Sequence, residues 1–171
     1  MIHIYSGNGK GKTTAAVGLA VRAVGAGLRV HFCQFLKNGD SNEINILKQL
    51  NNMTVGYCEE CRKFTFQMND DEKNIVKNTH NKLLNEIESL ISQNSIDVVV
   101  MDEIFKAYNS ALLDQKKVRE IVYNCPKHIE LILTGRSPSK VFKKAADYYS
   151  VIRAVKHPYN NGIKARKGIE Y

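Results

Sequence analysis

Apolar, β-branched runs alternate along the chain with stretches whose apolar residues recur at helical spacing. Residues 2–5 predict a short strand, and 12–26, rich in alanine and closed by Gly25 and Gly27, a helix. Strand 29–35, helix 42–50 and short strand 54–57 follow. The clearest helix is 70–93, where Val76, Leu83, Leu84, Ile87, Leu90 and Ile91 keep near-3.6 spacing. Residues 96–101 are continuously apolar, as in a strand covered on both faces. Helix 118–123, strand 129–133 and a last strand at 151–155 complete the pattern. Strands that alternate with helices predict βαβ units, a mostly parallel sheet and an α/β domain in three α/β/α layers. In such sheets ligands bind beyond the carboxyl ends of the strands.

At 171 residues, 43% hydrophobic and 25% charged, the chain is expected to be one globular domain, 1–171. No apolar run reaches the roughly 18 residues of a membrane span, and residues 1–12 hold no apolar signal core. A cytoplasmic protein without membrane contact is the expectation, with Cys33, Cys58, Cys61 and Cys125 as thiols. The net charge of +8 is unevenly placed. Residues 1–39 hold five Lys/Arg and no acid, and 152–171 five Lys/Arg and one acid. The middle is nearly neutral. Two basic patches suit a small polyanion held between them, and the neutral middle argues against the extended basic stripe of a nucleic-acid binder.

Directly after the first strand comes Ser6-Gly7-Asn8-Gly9-Lys10-Gly11-Lys12-Thr13-Thr14, a Walker-A-like loop between strand and helix. Glycines let backbone N–H groups turn inward around phosphate oxygens, and the helix start adds its positive dipole end. Lys12 can reach the phosphates and the Thr13 hydroxyl can ligate Mg²⁺. The strict pattern has Gly where this chain has Ser6, and Lys10 is an extra cation. Asp102 and Glu103 close the apolar run at a Walker-B position, where a carboxylate can hold the metal. Together these features predict a P-loop NTPase-like, RecA-like fold that binds ATP with Mg²⁺ or Mn²⁺. A P-loop alone fits kinases, ATPases and other transferases.

Further segments narrow the class: Gln34-Phe35-Leu36-Lys37, Val99-Val100-Met101-Asp102-Glu103-Ile104, Leu133-Thr134-Gly135-Arg136, and the tail with Lys156-His157-Pro158 and Gly162 to Tyr171. With the loop, they resemble the P-loop type of ATP:corrinoid adenosyltransferase over nearly the whole chain. The resemblance implies transfer of the 5′-deoxyadenosyl group of ATP to Co(I) of a corrinoid, with release of triphosphate. It implies nucleotide contacts from Gly7, Asn8, Gly9, Lys10, Gly11, Lys12, Thr13 and Thr14, and Arg22 joining the phosphate site. Lys12, Thr13 and Glu103 are the implied catalytic residues, and Thr13, Asp102 and Glu103 the implied metal site. Phe64 and Phe66 stand where the family has an aromatic pair thought to displace the corrinoid's lower axial ligand; the family commonly has Trp at the second position, and this chain has none. As residues alone, they read as alternate positions of a half-buried strand.

The resemblance also implies a reduced flavoprotein or flavodoxin as electron donor, and a homodimer. Many members carry an extension before the first strand. Here the sequence opens on that strand, which implies looser cover of the corrinoid or cover from a partner subunit. The tail, with Lys156, Lys164, Arg166 and Lys167, is expected to fold over the nucleotide or the corrin, and His157 to serve as a structural hydrogen-bonder. Cys58 and Cys61 form a C-x-x-C with no second such pair, so they are expected to line the corrinoid pocket rim. A nucleoside kinase is the main alternative; it would make ADP and use these two cysteines as zinc ligands.

Overall fold

The structure, a computed structural model, describes residues 1–170; Tyr171, the end of the tail motif, lies outside the described residues. The strands are β1 (Ile2–Ser6), β2 (Val30–Gln34), β3 (Met53–Tyr57), β4 (Val98–Asp102), β5 (Glu130–Gly135) and β6 (Tyr148–Val151). They form one sheet in the order β3-β2-β4-β5-β1-β6, with every pairing parallel. The helices are α1 (Lys12–Gly25), α2 (Asn42–Leu47), α3 (Asp70–Ser92), α4 (Ile104–Asn109), α5 (Gln115–Tyr123) and α6 (Lys140–Ala145).

Side-chain alternation along the central strands sorts the core into two faces. Val98 and Val100 of β4 pack with Ala16, Ala20 and Ala23 of α1 and with Ile44 and Leu47 of α2. Val99 and Met101 face the other way, onto Leu83, Leu84 and Ile87 of α3, Ile121 of α5 and Phe142 of α6. Both faces of β4 are therefore dry, which explains its unbroken apolar run. The predicted three-layer α/β/α arrangement is the observed one.

Local chemistry sets the helix ends. Asn69 Oδ1 accepts from the Glu72 N–H at 2.8 Å, and Glu72 Oε2 accepts from the Asn69 N–H at 3.0 Å. This capping box, with Asp70 and Asp71 in the first turn, fixes the start of α3. Asp114 caps α5 by accepting from the N–H groups of Lys116 and Lys117, so that helix starts three residues before the predicted 118.

Some boundaries differ. The last strand is Tyr148–Val151, not 151–155. It is an edge strand whose residues are all exposed, so it carries no buried apolar signal. Its place is set by pairing to β1, His3 with Tyr148 through Ser6 with Val151. Helix 42–50 stops at Leu47. The six-residue helices α4 and α6 are too short to show a period and were not predicted. Phe64 and Phe66 do not alternate on a half-buried strand: they flank and occupy a 3₁₀ turn at Thr65–Gln67 and are 70% and 81% exposed.

Candidate active site

The phosphate loop leaves β1 and enters α1 through Gly11, whose φ of 119° is open only to glycine at low cost. The first half of the loop lies against the chain that follows β6. Gly9 N–H donates to Ile152 O at 2.9 Å, Ile152 N–H to Ser6 O at 2.8 Å, and Ala154 N–H to Asn8 Oδ1 at 3.1 Å. A Cβ on Gly7 would come within 2.2 Å of Ile152 O, and one on Gly9 within 2.8 Å of Arg153 C. These two glycines are thus required by close backbone approach, while Gly11 is required by its dihedral. Ser6, at the departure from the strict pattern, is buried at the end of β1 and donates to Tyr149 Oη at 3.3 Å.

Lys12 is 8% exposed, and its Nζ donates to Gly9 O at 2.8 Å, spanning the loop. Burial lowers its pKa, opposed by the charge of Glu103, while Arg136 lowers it further. The Thr13 hydroxyl donates to Asp102 Oδ1 at 2.8 Å. Walker-A and Walker-B elements therefore meet directly, although β5 lies between β1 and β4 in the sheet.

Asp102 is fully buried at the end of β4 and saturated with donors. Its Oδ1 also accepts from Thr134 Oγ1 at 2.7 Å. Its Oδ2 accepts from Lys37 Nζ at 3.0 Å and from Gln34 Nε2 at 3.3 Å. Burial works against the charge of Lys37, but Asp102, followed by Glu43 and Glu103, outweighs it and raises the Lys37 pKa. Glu103 adopts φ 60°, and its N–H donates to Thr134 Oγ1 at 3.0 Å. This left-handed turn directs the chain from β4 into α4. Burial, then Asp102, raises the Glu103 pKa, against the pull of Lys37 and Lys12.

Thr13 and Asp102 are thus brought together, with Lys12 and Glu103 in electrostatic reach of each other. Thr14 is exposed on α1, and Asn8 and Lys10 lie at the loop's outer side. Lys10 pairs with Glu170 at 3.2 Å, so the tail folds against the loop. His157 Nδ1 accepts from the Tyr159 N–H at 3.2 Å and caps a 3₁₀ turn, as expected of a structural histidine.

Arg22 is not brought to the phosphate loop. It lies ten residues beyond Lys12 on α1, about 15 Å along the axis, and lines a shallow pocket with Met1, His3, Leu28 and Tyr148. Nearly three turns of α1 separate the two. Cys58 and Cys61 are buried thiols, 0% and 7% exposed, rather than residues of an open pocket rim.

Phe64 and Phe66 stack on each other, with ring centroids 5.7 Å apart and planes 6° from parallel. They stand beyond the carboxyl end of β3, on the same edge of the sheet as the phosphate loop. Four strand spacings, roughly 19 Å, separate β3 from β1. Sequence reasoning gave no site role to Gln34, Lys37, Glu43 or Thr134. Gln34, Lys37 and Thr134 lie in segments that carry the resemblance and at or just past predicted strand ends, where parallel sheets bind ligands, whereas Glu43 falls in the predicted helix 42–50 and had no such signal.

A threonine–aspartate pair beneath a strand–loop–helix turn, on an all-parallel sheet, defines a P-loop nucleotide-binding protein. Solved structures agree on the fold: a KaiC-like protein from Pyrococcus horikoshii OT3 superposes with a TM-score of 0.52 at 15% identity, covering 89% of this chain and 70% of that one. ATPases 2 and 3 of EssC from Geobacillus thermodenitrificans give 0.53 at 15% identity, covering 99% of this chain and 36% of that one.

Sequence comparison goes further than the fold. The family model for ATP:corrinoid adenosyltransferase BtuR/CobO/CobP matches residues 1–171, and the chain belongs to that family. It is 32% identical to the corrinoid adenosyltransferase of Escherichia coli K12, over all of this chain and 85% of that protein. It is 33% identical to the Salmonella typhimurium LT2 enzyme at the same coverages, and 30% identical to that of Pseudomonas aeruginosa over 98% of this chain and 82% of that protein. The protein is a transferase that adenosylates corrinoids with ATP, and the kinase reading is set aside. No helix among the described residues is long and apolar enough to cross a membrane.

Proposed function

We propose that this chain, acting as one domain, moves the 5′-deoxyadenosyl group of ATP onto Co(I) of a corrinoid through the residues just described. The cobalt electron pair attacks the ribose C5′, the C5′–O bond breaks, and its electrons leave with triphosphate. No proton needs to move at the reacting carbon. What the protein must supply is aim at C5′ and positive charge along the departing polyanion.

The observation that carries this reading is the Lys12–Thr13–Asp102 arrangement sharing one sheet edge with an exposed aromatic pair. Residues Gly7 to Thr14 contact the nucleotide, with Lys12 and the loop N–H groups on the phosphates. Thr13, Asp102 and Glu103 offer hard oxygen donors suited to Mg²⁺ or Mn²⁺, and would hold it. Such an ion supplies positive charge to the leaving triphosphate when bound. Phe64 and Phe66 present 70% and 81% of their surface to a flat macrocycle. A reduced flavoprotein or flavodoxin delivers the electron that makes Co(I), the enzyme works as a homodimer, and it resides in the cytoplasm.

The test is anoxic incubation with ATP, Mg²⁺ and chemically reduced cob(I)alamin. A light-sensitive alkyl-cobalt spectrum together with triphosphate is expected, reduced about a hundredfold or more in Lys12→Ala. ADP as the product, or full activity of Lys12→Ala, refutes the assignment.

A further inference from the structure

Behind the aromatic loop lies a cluster that the adenosyl-transfer site does not use. Cys58 and Cys61 come from the turn after β3, and His80 from the middle of α3. All three are buried, and their Sγ, Sγ and imidazole nitrogen atoms lie within 4.8 Å of one another. We propose that Cys58, Cys61 and His80 form a binding site for a borderline-soft divalent cation of the Zn²⁺ class.

The geometry fits before any ion arrives. Zn–S of about 2.3 Å and Zn–N of about 2.0 Å in a tetrahedron place S and N about 3.5 Å apart. Cys61 Sγ and His80 Nε2 are 3.7 Å apart. The Cys61 N–H donates to Cys58 O at 3.0 Å, so the C-x-x-C forms a tight turn that points both sulfurs one way.

The histidine is set for ligation. Its Nδ1 lies 2.7 Å from Leu112 O; a carbonyl can only accept, so Nδ1 carries the proton. Nε2 therefore keeps the ring's one free lone pair on the side of the sulfurs and the Leu36 N–H, and the Nδ1–H bond to Leu112 O is the outer hydrogen bond that orients metal-bound histidines elsewhere. The Leu36 N–H, 3.1 Å from Nε2, also bonds to Cys61. Ligation leaves that N–H on the Cys61 sulfur, where a thiolate accepts it. Binding releases both thiol protons to solvent and leaves two thiolates and a neutral imidazole on the ion. Glu60, whose Oε2 is 3.8 Å from Cys58 Sγ, or a water supplies the fourth ligand.

Counting cysteines alone gives two donors and a poor site; the third donor comes from a helix 19 residues further on. An ion here ties the start of the 58–69 loop to α3 and, through His80, to the Leu112 turn. It would stiffen the base on which Phe64 and Phe66 stand. This last consequence rests on the corrinoid reading of those rings; the metal site does not.

The full chain, purified under reducing conditions without chelator, should carry about one zinc per chain by elemental analysis. Metal-free reduced protein titrated with Co²⁺ should develop a thiolate-to-cobalt charge-transfer band that saturates at one equivalent. Cys58→Ser and Cys61→Ser should each abolish the band. Should those variants fail to fold, thiol titration of the native protein decides: zinc must shield two cysteines that become reactive after chelation. Lys12→Ala should load metal like the unaltered protein, so loss of adenosyl transfer leaves this test intact. Absence of bound zinc with no charge-transfer band overturns the proposal. So does a Cys58–Cys61 disulfide whose reduction brings no metal uptake.

Discussion

Thr134 is the hinge of the carboxylate end of the sheet, and replacing it separates hydrogen bonding from packing. Its hydroxyl donates to Asp102 Oδ1 at 2.7 Å and accepts from the Glu103 N–H at 3.0 Å. Thr134→Val keeps the shape and deletes both bonds. A bond to a charged group contributes about 1.5–3 kcal/mol, and a stranded N–H costs about 1–3 kcal/mol. Asp102 retains Thr13, Gln34 and Lys37, which softens the first figure. The net loss should be about 2–4 kcal/mol. At about 2–4 °C per kcal/mol for a domain of this size, the melting temperature falls by roughly 5–15 °C. Thr134→Ser keeps both bonds and loses one methyl, about 1 kcal/mol, so it should melt only about 3 °C low. Thermal unfolding by circular dichroism, without nucleotide, reads both. A valine variant within about 2 °C of the unaltered protein, or a serine variant that falls as far, would show that Asp102 does not depend on this hydroxyl.

Acid should destabilise the fold through His31. Burial lowers its pKa from 6.5 to about 4. The unfolded chain takes up the proton first, so the contribution is complete above about pH 6.5 and lost toward pH 4. It is worth about 3 kcal/mol, visible as a falling urea midpoint that flattens in His31→Gln. Gly7→Ala should cost at least about 2 kcal/mol and abolish ATP binding by calorimetry, because its Cβ collides with Ile152 O at φ 112°. Gly18→Ala, inside α1 with nothing within 4 Å, should instead gain about 0.5–1 kcal/mol. Phe66→Ala should leave the melting temperature nearly unchanged, since the ring is 81% exposed, yet slow corrinoid adenosylation about tenfold. Equal loss of stability and activity would place the ring in the core instead.

The parts of the molecule written in local pattern were readable in the chain. The long helix α3, the dry strand β4 and the phosphate loop each carry their own periodicity or spacing. Asp102 was readable because it ends an apolar run. Thr13 was readable with it, but Gln34 and Thr134 were not, since Gln34 reaches it only through the β2–β4 register and Thr134 through β5 lying beside β4. His80 reads as one more face of an amphipathic helix until α3 is laid across the turn that holds Cys58 and Cys61. Edge strand β6, exposed throughout, buries none of its apolar residues; it is fixed by the neighbour it pairs with. Arg22 is the converse case: the resemblance assigns it to the phosphate site, but ten residues of α1 carry it about 15 Å along the axis from Lys12.

The placing of β1 at the inner side of the sheet also dictates when the enzyme can first hold its nucleotide. Its two neighbours are β5 and β6, Glu130–Gly135 and Tyr148–Val151, and the loop that follows rests on Ile152. A ribosome-bound chain therefore makes the phosphate loop well before residues 130–152, which wall it in. Until then β1 has no partner on either side, and the order of manufacture is the reverse of the order of assembly. Nascent chains should be blind to ATP until residues 130–152 have emerged, and gain that capacity in a single step once β5 and β6 can pair with β1.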